Sequence, residues 1–448
     1  MIEKIIEWSA RNKFIVILFT VFAVIASVYA MKSVPLDAIP DLSDTQVIVY
    51  SRWDRSPDIM EDQVTYPIVT ALLGAPRVKA VRGFSDFGFS YVYVIFQDGT
   101  DIYWARSRTL EYLSKILPQL PEGVRTELGP DATGVGWVYQ YALVDRTGQQ
   151  SLADLRSFQD WYMRYYLQSV PGVAEVASIG GFQKQYQVNV DPNRLTAYNI
   201  PLMKVVNAIR DGNNDVGGRL VEFSGMEYMV RGRGYIKTVE DIKDIVVGVD
   251  NRGTPITVRN LGSVAMGPDI RRGIADLDGE GDTVGGIVII RHGENALNVI
   301  ERVKAKLDEI KPSLPKGAQI ITTYDRSGLI RQSIDTLKAT LTEELIMVSI
   351  IILIFLWHIP SAIIPIITIP VSVVIAFIPM YFMGLTSNIM SLAGIAISVG
   401  VLVDGAIVEV ENAYKKLQLW DEGGRVGDYH RIRLAALKEV GPSVFFSL

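Results

Sequence analysis

Residues 390–411 read MSLAGIAISVGVLVDGAIVEVE, and this stretch is the strongest indicator of the fold. Fourteen apolar or small residues precede an aspartate, Asp404. At 1.5 Å per residue, Asp404 lies about 21 Å along a helix that begins near Met390, which is inside a hydrocarbon layer roughly 30 Å thick. Placing an acid at that depth costs about 2.5–3.5 kcal/mol, so the pattern predicts a functional carboxyl group in a membrane helix.

Asp404 is interpreted as a proton carrier. A carboxyl group held in low dielectric can alternate between a neutral and a charged form, which proton transport requires. The helix is slim, because its small residues let neighbouring helices approach closely: Gly394, Ala396, Ser398, Gly400, Gly405 and Ala406. The alternative is a structural ion pair that holds a helical bundle together. The depth of the acid favours proton coupling.

Two further acids follow Asp404 on the same predicted helix. Glu411 lies seven positions on, on the same face, at the predicted cytoplasmic boundary. It is a candidate proton exit residue, and a solvated helix end fits equally well. Glu409 points to another side of the helix, which favours a charge at a helix interface.

The helix belongs to a longer apolar block, in which His358 is the one residue between 345 and 403 that can carry a charge. Proline and glycine near 357–361 and 384–388 break the block, and Trp357 suits the headgroup level of a bilayer. The block therefore predicts three membrane crossings, at 340–357, 363–383 and 389–411.

An uncharged run at 14–31 is also long enough to cross a bilayer. It follows an amphipathic start in which Ile2, Ile5 and Ile6 oppose charged residues. A cleaved signal peptide is the competing interpretation. Because no small-x-small cleavage site leads into a mature start, the sequence favours an uncleaved anchor. A further crossing is predicted to begin at 441–442 and to be cut off at Leu448.

Basic residues in the short loops predict the orientation. Lys4, Arg11 and Lys13 precede the first crossing, six Lys or Arg residues lie between 412 and 440, and the connection at 384–388 has none. The positive-inside rule therefore places the N-terminus and residues 412–440 in the cytoplasm, and residues 33–336 outside it.

The exterior region is predicted to consist of repeated α/β units. Alternating strands at 91–96 and 286–290 interleave with amphipathic helices near 57–73, 101–116, 152–168, 200–211 and 295–311. The sequence APRVKAV at 75–81 resembles VPGVAEV at 170–176, which favours two copies of a β-α-β unit. The Gly-rich residues 213–219 predict a loop or hairpin, for which contact with another subunit and a plain surface loop fit equally well.

Composition excludes several classes of site. With 0 Cys there are no disulfides and no thiolate metal sites, and 3 His make a His-rich metal cage unfavourable. A formal charge of -5 without a basic block gives no indication of nucleic-acid binding.

Several motifs together resemble the resistance–nodulation–division (RND) exporters. Residues 391–412 are similar to the fourth helix of those proteins. Further matches lie in the exterior region: VPLDAIPDLSD at 34–44, VTYP at 64–67, RGFS at 82–85, DGTD at 98–101, LGPDATG at 128–134, VPGVAEV at 170–176 and TYDRS at 323–327. The resemblance runs the whole length and is strongest to the heavy-metal efflux branch, in particular to its copper/silver pumps.

The resemblance implies the N-terminal half of the RND fold: a membrane α-helical bundle plus a periplasmic α+β porter domain of repeated βαβ (ferredoxin-like) modules. The implied division of the chain is as follows: a cytoplasmic start and first membrane helix at 1–32; a periplasmic region at 33–336, with a first porter module at 40–133, a second at 134–180 and 274–332, and a docking module at 181–273; membrane helices two to four at 337–411; a cytoplasmic amphipathic segment at 412–440; and the start of a fifth helix at 441–448.

The resemblance also implies a function. Such proteins are secondary antiporters rather than enzymes, and they import protons and export cations. They are homotrimers in the bacterial inner membrane, surrounded by lipid and joined to a periplasmic adaptor and an outer-membrane channel. Asp404 falls on the proton-relay aspartate of the family, whose acid and lysine partners would lie beyond residue 448. No cofactor is implied apart from the transported metal ion.

Methionine positions determine which metal ion the resemblance implies. In the copper/silver pumps a three-methionine site, expected here beyond residue 448, binds the ion, and paired methionines relay it. Thioether sulfur is neutral and polarisable and so suits a soft monovalent ion. Leu402 and Ile270 occupy two relay positions here. Met390 remains where a relay methionine is expected, and a buried gap-filling role fits it equally well. A buried gap-filling role is the favoured interpretation of three other methionines: Met226, Met229 and Met266.

Cu(I) or Ag(I) is the favoured cargo. The pumps for divalent zinc, cobalt and cadmium carry an aspartate where this chain has Ser398. A divalent-cation pump and a drug or hydrophobe exporter of the same superfamily are the alternatives. An auxiliary protein of protein export or lipid transport would have a smaller exterior domain, and a tethered sensor would not explain Asp404.

Overall fold

The computed structural model describes residues 1–271, 273–356 and 359–447. Within them, buried side chains form three clusters in the α/β region and one cluster among the apolar helices. The chain begins with an amphipathic helix, α1 (Ile2–Arg11), followed by an apolar helix, α2 (Lys13–Ser33). The predicted first crossing at 14–31 lies within α2.

The first sheet contains four antiparallel strands in the order β2-β3-β1-β4. Its elements are β1 (Gln46–Arg52), α3 (Pro57–Met60), α4 (Tyr66–Leu73), β2 (Val78–Asp86), β3 (Phe89–Phe96), α5 (Ile102–Ile116) and β4 (Arg125–Leu128). Alternate residues of β1 and β3 are buried under the helices, as the period of two predicts. A π-helical turn, Glu61–Thr65, interrupts the predicted helix at 57–73.

The second sheet begins with β5 (Trp137–Asp145), α6 (Leu152–Phe158), α7 (Arg164–Gln168) and β6 (Val173–Gly180), and another π-helical turn, Gln159–Met163, separates the two helices. A long insertion then follows. It contains β7 (Lys184–Val190), α8 (Pro192–Tyr198), α9 (Leu202–Asp211), β8 (Val216–Phe223), β9 (Met226–Gly232), α10 (Val239–Lys243), β10 (Val246–Val249), β11 (Pro255–Thr257), α11 (Val258–Leu261) and β12 (Gly262–Pro268).

The second sheet is completed by β13 (Val284–Ile290), α12 (Ala296–Ile310) and β14 (Ala318–Asp325), and its order is β14-β5-β13-β6. When the strands of each sheet are numbered along the chain, both sheets have the order 4-1-3-2 and are antiparallel throughout. A helix follows the first and the third strand in each. The insertion lies between the second and third strands of the second sheet.

Residues 213–219 run into an exposed hairpin. Every residue of β8 and β9 is exposed, and the two strands pair only with each other in the described part of the chain. Of the two structures predicted for this stretch, the hairpin is therefore the one observed. The prediction that three methionines are buried is wrong, because Met226, Met229 and Met266 are 58%, 79% and 48% exposed. The first two belong to the hairpin, and the third lies on β12, which pairs with β7 alone.

From Arg326 onwards the described part of the chain is mainly helical. It contains α13 (Arg326–Leu356), α14 (Ile359–Ile375), α15 (Phe377–Phe382), α16 (Ile389–Glu422) and α17 (Tyr429–Ser447). By length and composition, α2 and α16 are the two helices in the described residues that could cross a membrane, and Ile366–Phe382 is a shorter apolar stretch. The predicted break at 384–388 is observed, whereas Trp357 and His358 lie outside the described residues.

The helix ends differ from the predicted membrane boundaries. Helix α13 begins at Arg326, before the predicted crossing at 340, because the strand β14 leads directly into it. Helix α16 continues to Glu422, and α17 begins at Tyr429 rather than at 441. Polar residues extend these helices beyond their apolar stretches, at the start of α13 and α17 and at the end of α16. The edge of an apolar run therefore does not coincide with the end of a helix.

Gly286 on β13 has no room for a side chain. A Cβ there would lie 2.5 Å from Cζ of Tyr141 and closer still to its hydroxyl oxygen. The Tyr141 ring is 1% exposed, and its hydroxyl donates a hydrogen bond to Gln159 Oε1 at 2.8 Å, so it cannot move aside easily. We expect Gly286→Ala to destabilise the second sheet by about 1–3 kcal/mol through overpacking.

Thermal unfolding followed by fluorescence measures this effect. The matched control is Gly217→Ala on the exposed hairpin, where a Cβ would have nothing within 4 Å. Equal melting temperatures for the two variants would contradict the packing described for Gly286.

Candidate functional site

The N-terminus of α16 is held by a polar cap. Asn388 is 5% exposed, and its side-chain oxygen accepts hydrogen bonds from the backbone N–H groups of Met390 (3.0 Å) and Ser391 (3.1 Å). The Asn388 N–H donates in return to Ser391 Oγ at 2.8 Å, which completes a capping box. The cap fixes the start of α16 and its first turn.

One face of α16 is packed against the other apolar helices. Its buried residues follow a spacing of three or four: Leu392, Ile395, Val399, Val403 and Val410. Ile395, Val399 and Val403 share a buried cluster with Val348 of α13 and Ile369 of α14. This spacing is that of one helix face, so the opposite face is directed away from the described helices.

Asp404 lies on this opposite, exposed face of α16, together with Gly394, Ile397, Gly400 and Val401. Ile397 is 74% exposed, although it is apolar. A helix face that combines small residues, exposed apolar residues and one acid is typical of contact with further membrane helices.

No residue that the structure describes forms a hydrogen bond or an ion pair with Asp404. The structural ion pair considered from the sequence therefore finds no partner in these parts of the chain. The carboxyl group instead faces the side where additional helices can pack.

Glu411 and Glu409 have different surroundings. Glu411 forms an ion pair with Lys415, one turn further on, at 2.6 Å, and both side chains are substantially exposed. Such a pair contributes at most about 1 kcal/mol, so Glu411 is not constrained by burial. Glu409 is half-buried and lines a cavity of about 600 Å³ with residues of α1 and α17.

The helices α1 and α17 are joined beside this cavity. Lys438 donates a hydrogen bond to Glu7 at 2.5 Å. That hydrogen bond and the charge of Lys438 hold the pKa of Glu7 below its ordinary value. Asn412 of α16 donates to the backbone oxygen of Ala436 at 2.9 Å, so the three helices are connected at one end of the bundle.

The three positions considered for a metal relay lie in separate parts of the structure. Met390 is 66% exposed in the first turn of α16, Leu402 is half-buried on the same helix, and Ile270 is 81% exposed after β12. In the described ranges, no group of three or more His, Asp or Glu side chains is arranged to hold a metal ion.

Ile270 lines a cleft that sequence reasoning missed. The cleft has a volume of about 760 Å³. Arg52 and Phe89 of the first sheet line one side, and Arg156 of α6 and Gly180 of β6 line the other. Arg52 reaches Asp269 across it at 3.9 Å. Its lining is drawn from five separate stretches of chain, so no local motif could indicate it.

The described geometry agrees with the comparisons to known proteins. Residues 5–447 match the family model for the AcrB/AcrD/AcrF family, so the chain belongs to this family of RND transporters. Two crystal forms of a heavy metal efflux pump are similar in structure, with TM-scores of 0.84 and 0.82 and 32% sequence identity. They cover 99% and 98% of this chain, which spans 43% of each solved chain.

Several curated relatives are named as cation efflux or metal resistance proteins. The chain is 51% identical to the cation efflux system protein CusA of Escherichia coli K12 and 50% identical to the putative cation efflux system protein SilA of Salmonella typhimurium. It is 35% identical to the cobalt-zinc-cadmium resistance protein CzcA of Cupriavidus metallidurans. All of this chain aligns in each case, with 43% of each relative's length. The predicted membership of the heavy-metal efflux branch is confirmed.

Proposed function

We propose that this chain is the N-terminal part of a proton-driven antiporter that exports heavy-metal cations from the cell envelope. One observation carries the proposal: the Asp404 carboxyl group lies in the middle of an apolar helix, on the face that the described helices leave open. An ionisable group on a membrane helix is costly and is retained where it moves charge. Because the chain spans less than half of its relatives' length, the activity belongs to the complete transporter.

Asp404 acts as the proton-carrying group in this proposal. When it is deprotonated, a cationic side chain on a helix from the rest of the transporter stabilises its charge. When it takes up a proton, that attraction is lost and the helix contact relaxes. The small residues on the same face allow a neighbouring helix to approach and to shift by small distances. Glu411 is proposed as an exit residue, because it lies seven positions further along α16 with an exposed carboxylate.

The α/β region is proposed to be the periplasmic part. In this assignment the first sheet forms a porter module at 40–133, the second sheet forms another at 134–180 and 274–332, and the insertion at 181–273 is a docking module. The transporter is proposed to be a homotrimer in the bacterial inner membrane, linked to a periplasmic adaptor and an outer-membrane channel. The exposed hairpin β8–β9 supports this assembly, since its apolar side chains need a partner surface.

Cu(I) or Ag(I) is the proposed cargo. The identity is higher to the two cation efflux system proteins (51% and 50%) than to the cobalt-zinc-cadmium resistance protein (35%). Met390 offers a soft thioether ligand at the first turn of α16, where it is exposed. A divalent-cation pump is the second candidate, and a drug exporter is the third.

A resistance profile tests the cargo. The complete transporter, expressed in a strain without its own copper and silver exporters, is expected to raise tolerance to copper and silver and to leave tolerance to zinc, cobalt and cadmium unchanged. Protection against the divalent ions alone would contradict this assignment. Protection against none of the five metals would contradict metal export itself.

Leu402→Met and Ile270→Met test whether the two positions lie on the path of the ion. We expect neither substitution to reduce copper tolerance. Each replaces an apolar side chain by a methionine of similar volume, which the site can accommodate, and each adds a soft ligand. The measurement is growth across a copper series, with Leu419→Met on the exposed distal part of α16 as the matched control. A sharp loss of tolerance in the first two variants, but not in the control, would mean that these positions serve another purpose.

A further inference from the structure

The segment that follows the first apolar helix is bonded to the start of α16. The Asp37 N–H donates to the Ser387 oxygen (3.0 Å), and the Ser387 N–H donates to the Pro35 oxygen (2.9 Å). The Ile389 N–H donates to the Ala38 oxygen at 3.1 Å. These bonds form a short parallel bridge immediately before the capped first turn of α16. Residues 35–38 are therefore attached to the helix that carries Asp404.

The same segment is attached to the second sheet. Ala38 is 0% exposed and belongs to the buried cluster of that sheet. The backbone N–H of Ala296, the first residue of α12, donates to the Leu36 oxygen at 3.0 Å. Residues 35–38 thus form a joint between a membrane helix and the α/β layer above it.

A nearly buried ion pair closes this joint. Nη1 of Arg326 lies 3.3 Å from Oδ1 of Asp37, and the two side chains are 6% and 15% exposed. Arg326 also donates to the backbone oxygens of Val135 (2.6 Å) and Trp137 (2.7 Å), next to and at the start of β5. Because Arg326 is the first residue of α13, one guanidinium group connects the joint, the second sheet and a second apolar helix.

The chemistry of this pair indicates positioning rather than stability. Removing two charges from water costs several kcal/mol per ion, and apolar replacements of buried ion pairs are often neutral or stabilising. A planar guanidinium with fixed donors instead imposes one geometry on the groups that it contacts. A buried pair at a junction between layers is therefore suited to keep those layers in register.

We propose that Asp37 and Arg326 form a positioning pair that transmits movement of α16 to the second sheet; this inference rests on the proposed proton antiport. A shift of α16 on protonation of Asp404 moves residues 387–389, and the backbone bridge moves residues 35–38 with them. The Asp37 carboxylate then carries the displacement to Arg326, and so to the carbonyl groups that Arg326 holds at β5. Without the pair, the Ala296 bond and the buried Ala38 still hold the segment to the second sheet, but the displacement no longer reaches β5 through Arg326.

The test uses the complete transporter in proteoliposomes and measures cations exported per proton moved. Asp37→Asn keeps the shape of the side chain and an oxygen that accepts from Arg326, but it removes the charge. We expect this ratio to fall at least about fivefold, the lower end of typical coupling effects, while proton movement continues. The control is Asp44→Asn, whose partner is Lys79 in an exposed pair at 3.3 Å and whose ratio should stay at the wild-type value.

Arg326→Lys provides a second variant. It keeps the positive charge beside Asp37 but loses the guanidinium group whose two Nη atoms donate to the carbonyl oxygens of Val135 and Trp137. It is expected to lower the ratio as well, and it replaces Asp37→Asn as the test if that variant does not assemble. An unchanged ratio in an assembled variant, with only the amount of protein reduced, would overturn the proposal and leave a structural role. A wild-type transporter that exports cations without moving protons would instead refute the antiport function, which separates the two failures.

Discussion

Replacing Asp404 by asparagine is expected to reduce metal tolerance to that of a strain without the transporter, while expression and assembly of the proposed trimer remain unchanged. Asparagine has nearly the same shape and fits the same exposed helix face, but its carboxamide cannot take up and release a proton near neutral pH. The packed face of α16 is on the other side of the helix, so the substitution leaves the buried cluster intact. Tolerance to copper and silver, together with the amount of assembled protein, measures the effect.

Glu409→Gln is the matched control for this prediction. It also replaces a carboxylate by a carboxamide on α16, but Glu409 lines the cavity beside α1 and α17 instead of the face of Asp404. Tolerance should remain close to that of the wild type. A fully tolerant Asp404→Asn strain would exclude the proposed role of this carboxyl group.

Removal of the hairpin at residues 216–232 is expected to convert the proposed trimer into monomers. The strands β8 and β9 are exposed along their whole length, and a two-stranded hairpin is marginally stable by itself in water. Large apolar side chains on it are half or more exposed, including Phe223 (69%), Met226 (58%) and Met229 (79%). Such a surface is stabilised by a partner, and a second copy of the chain is the proposed one.

The variant replaces residues 216–232 by a short Gly-Ser connection, and mass photometry in detergent measures the oligomeric state. A double variant, Glu222→Gln and Glu227→Gln, is the control, since these facing residues are polar and the apolar surface is retained. The control is expected to remain trimeric. A trimeric deletion variant would show that the hairpin is not required for assembly.

Much of the fold follows from local patterns. The helices predicted at 101–116, 200–211 and 295–311 are observed at Ile102–Ile116, Leu202–Asp211 and Ala296–Ile310. Their ends depend on nearby residues, such as the Asp101 and Asn295 side chains that cap the first and the last of them. The period of the apolar residues and the capping residues are both visible in sequence, which explains this agreement.

The interrupted helices could not be predicted in the same way. The π-helical turn at Glu61–Thr65 lets the Thr65 hydroxyl contact the hydroxyl groups of Ser85 (2.8 Å) and Ser90 (2.7 Å). A similar turn places Gln159 against Tyr141. These partners belong to strands of the sheet, so tertiary contacts decide the irregularity and helical periodicity does not reveal it.

The candidate site likewise combines features that the sequence predicts with features that it does not. The position of Asp404 on α16 and its separation from Glu409 could be predicted, because both follow from helical geometry. Whether Asp404 lies on the buried or the exposed face of α16 could not be predicted, since burial depends on which helices pack against α16. The Asp37–Arg326 pair joins residues separated by 289 positions, and no local motif indicates such a contact.

The most direct test of proton antiport is a measurement of proton flux in sealed proteoliposomes that contain the complete transporter. With Cu(I) or Ag(I) on the uptake side, we expect protons to cross in the opposite direction to the cation, and we expect this flux to vanish in the Asp404→Asn variant. Cation transport without any counter-movement of protons, or the same proton flux in that variant, would contradict the account.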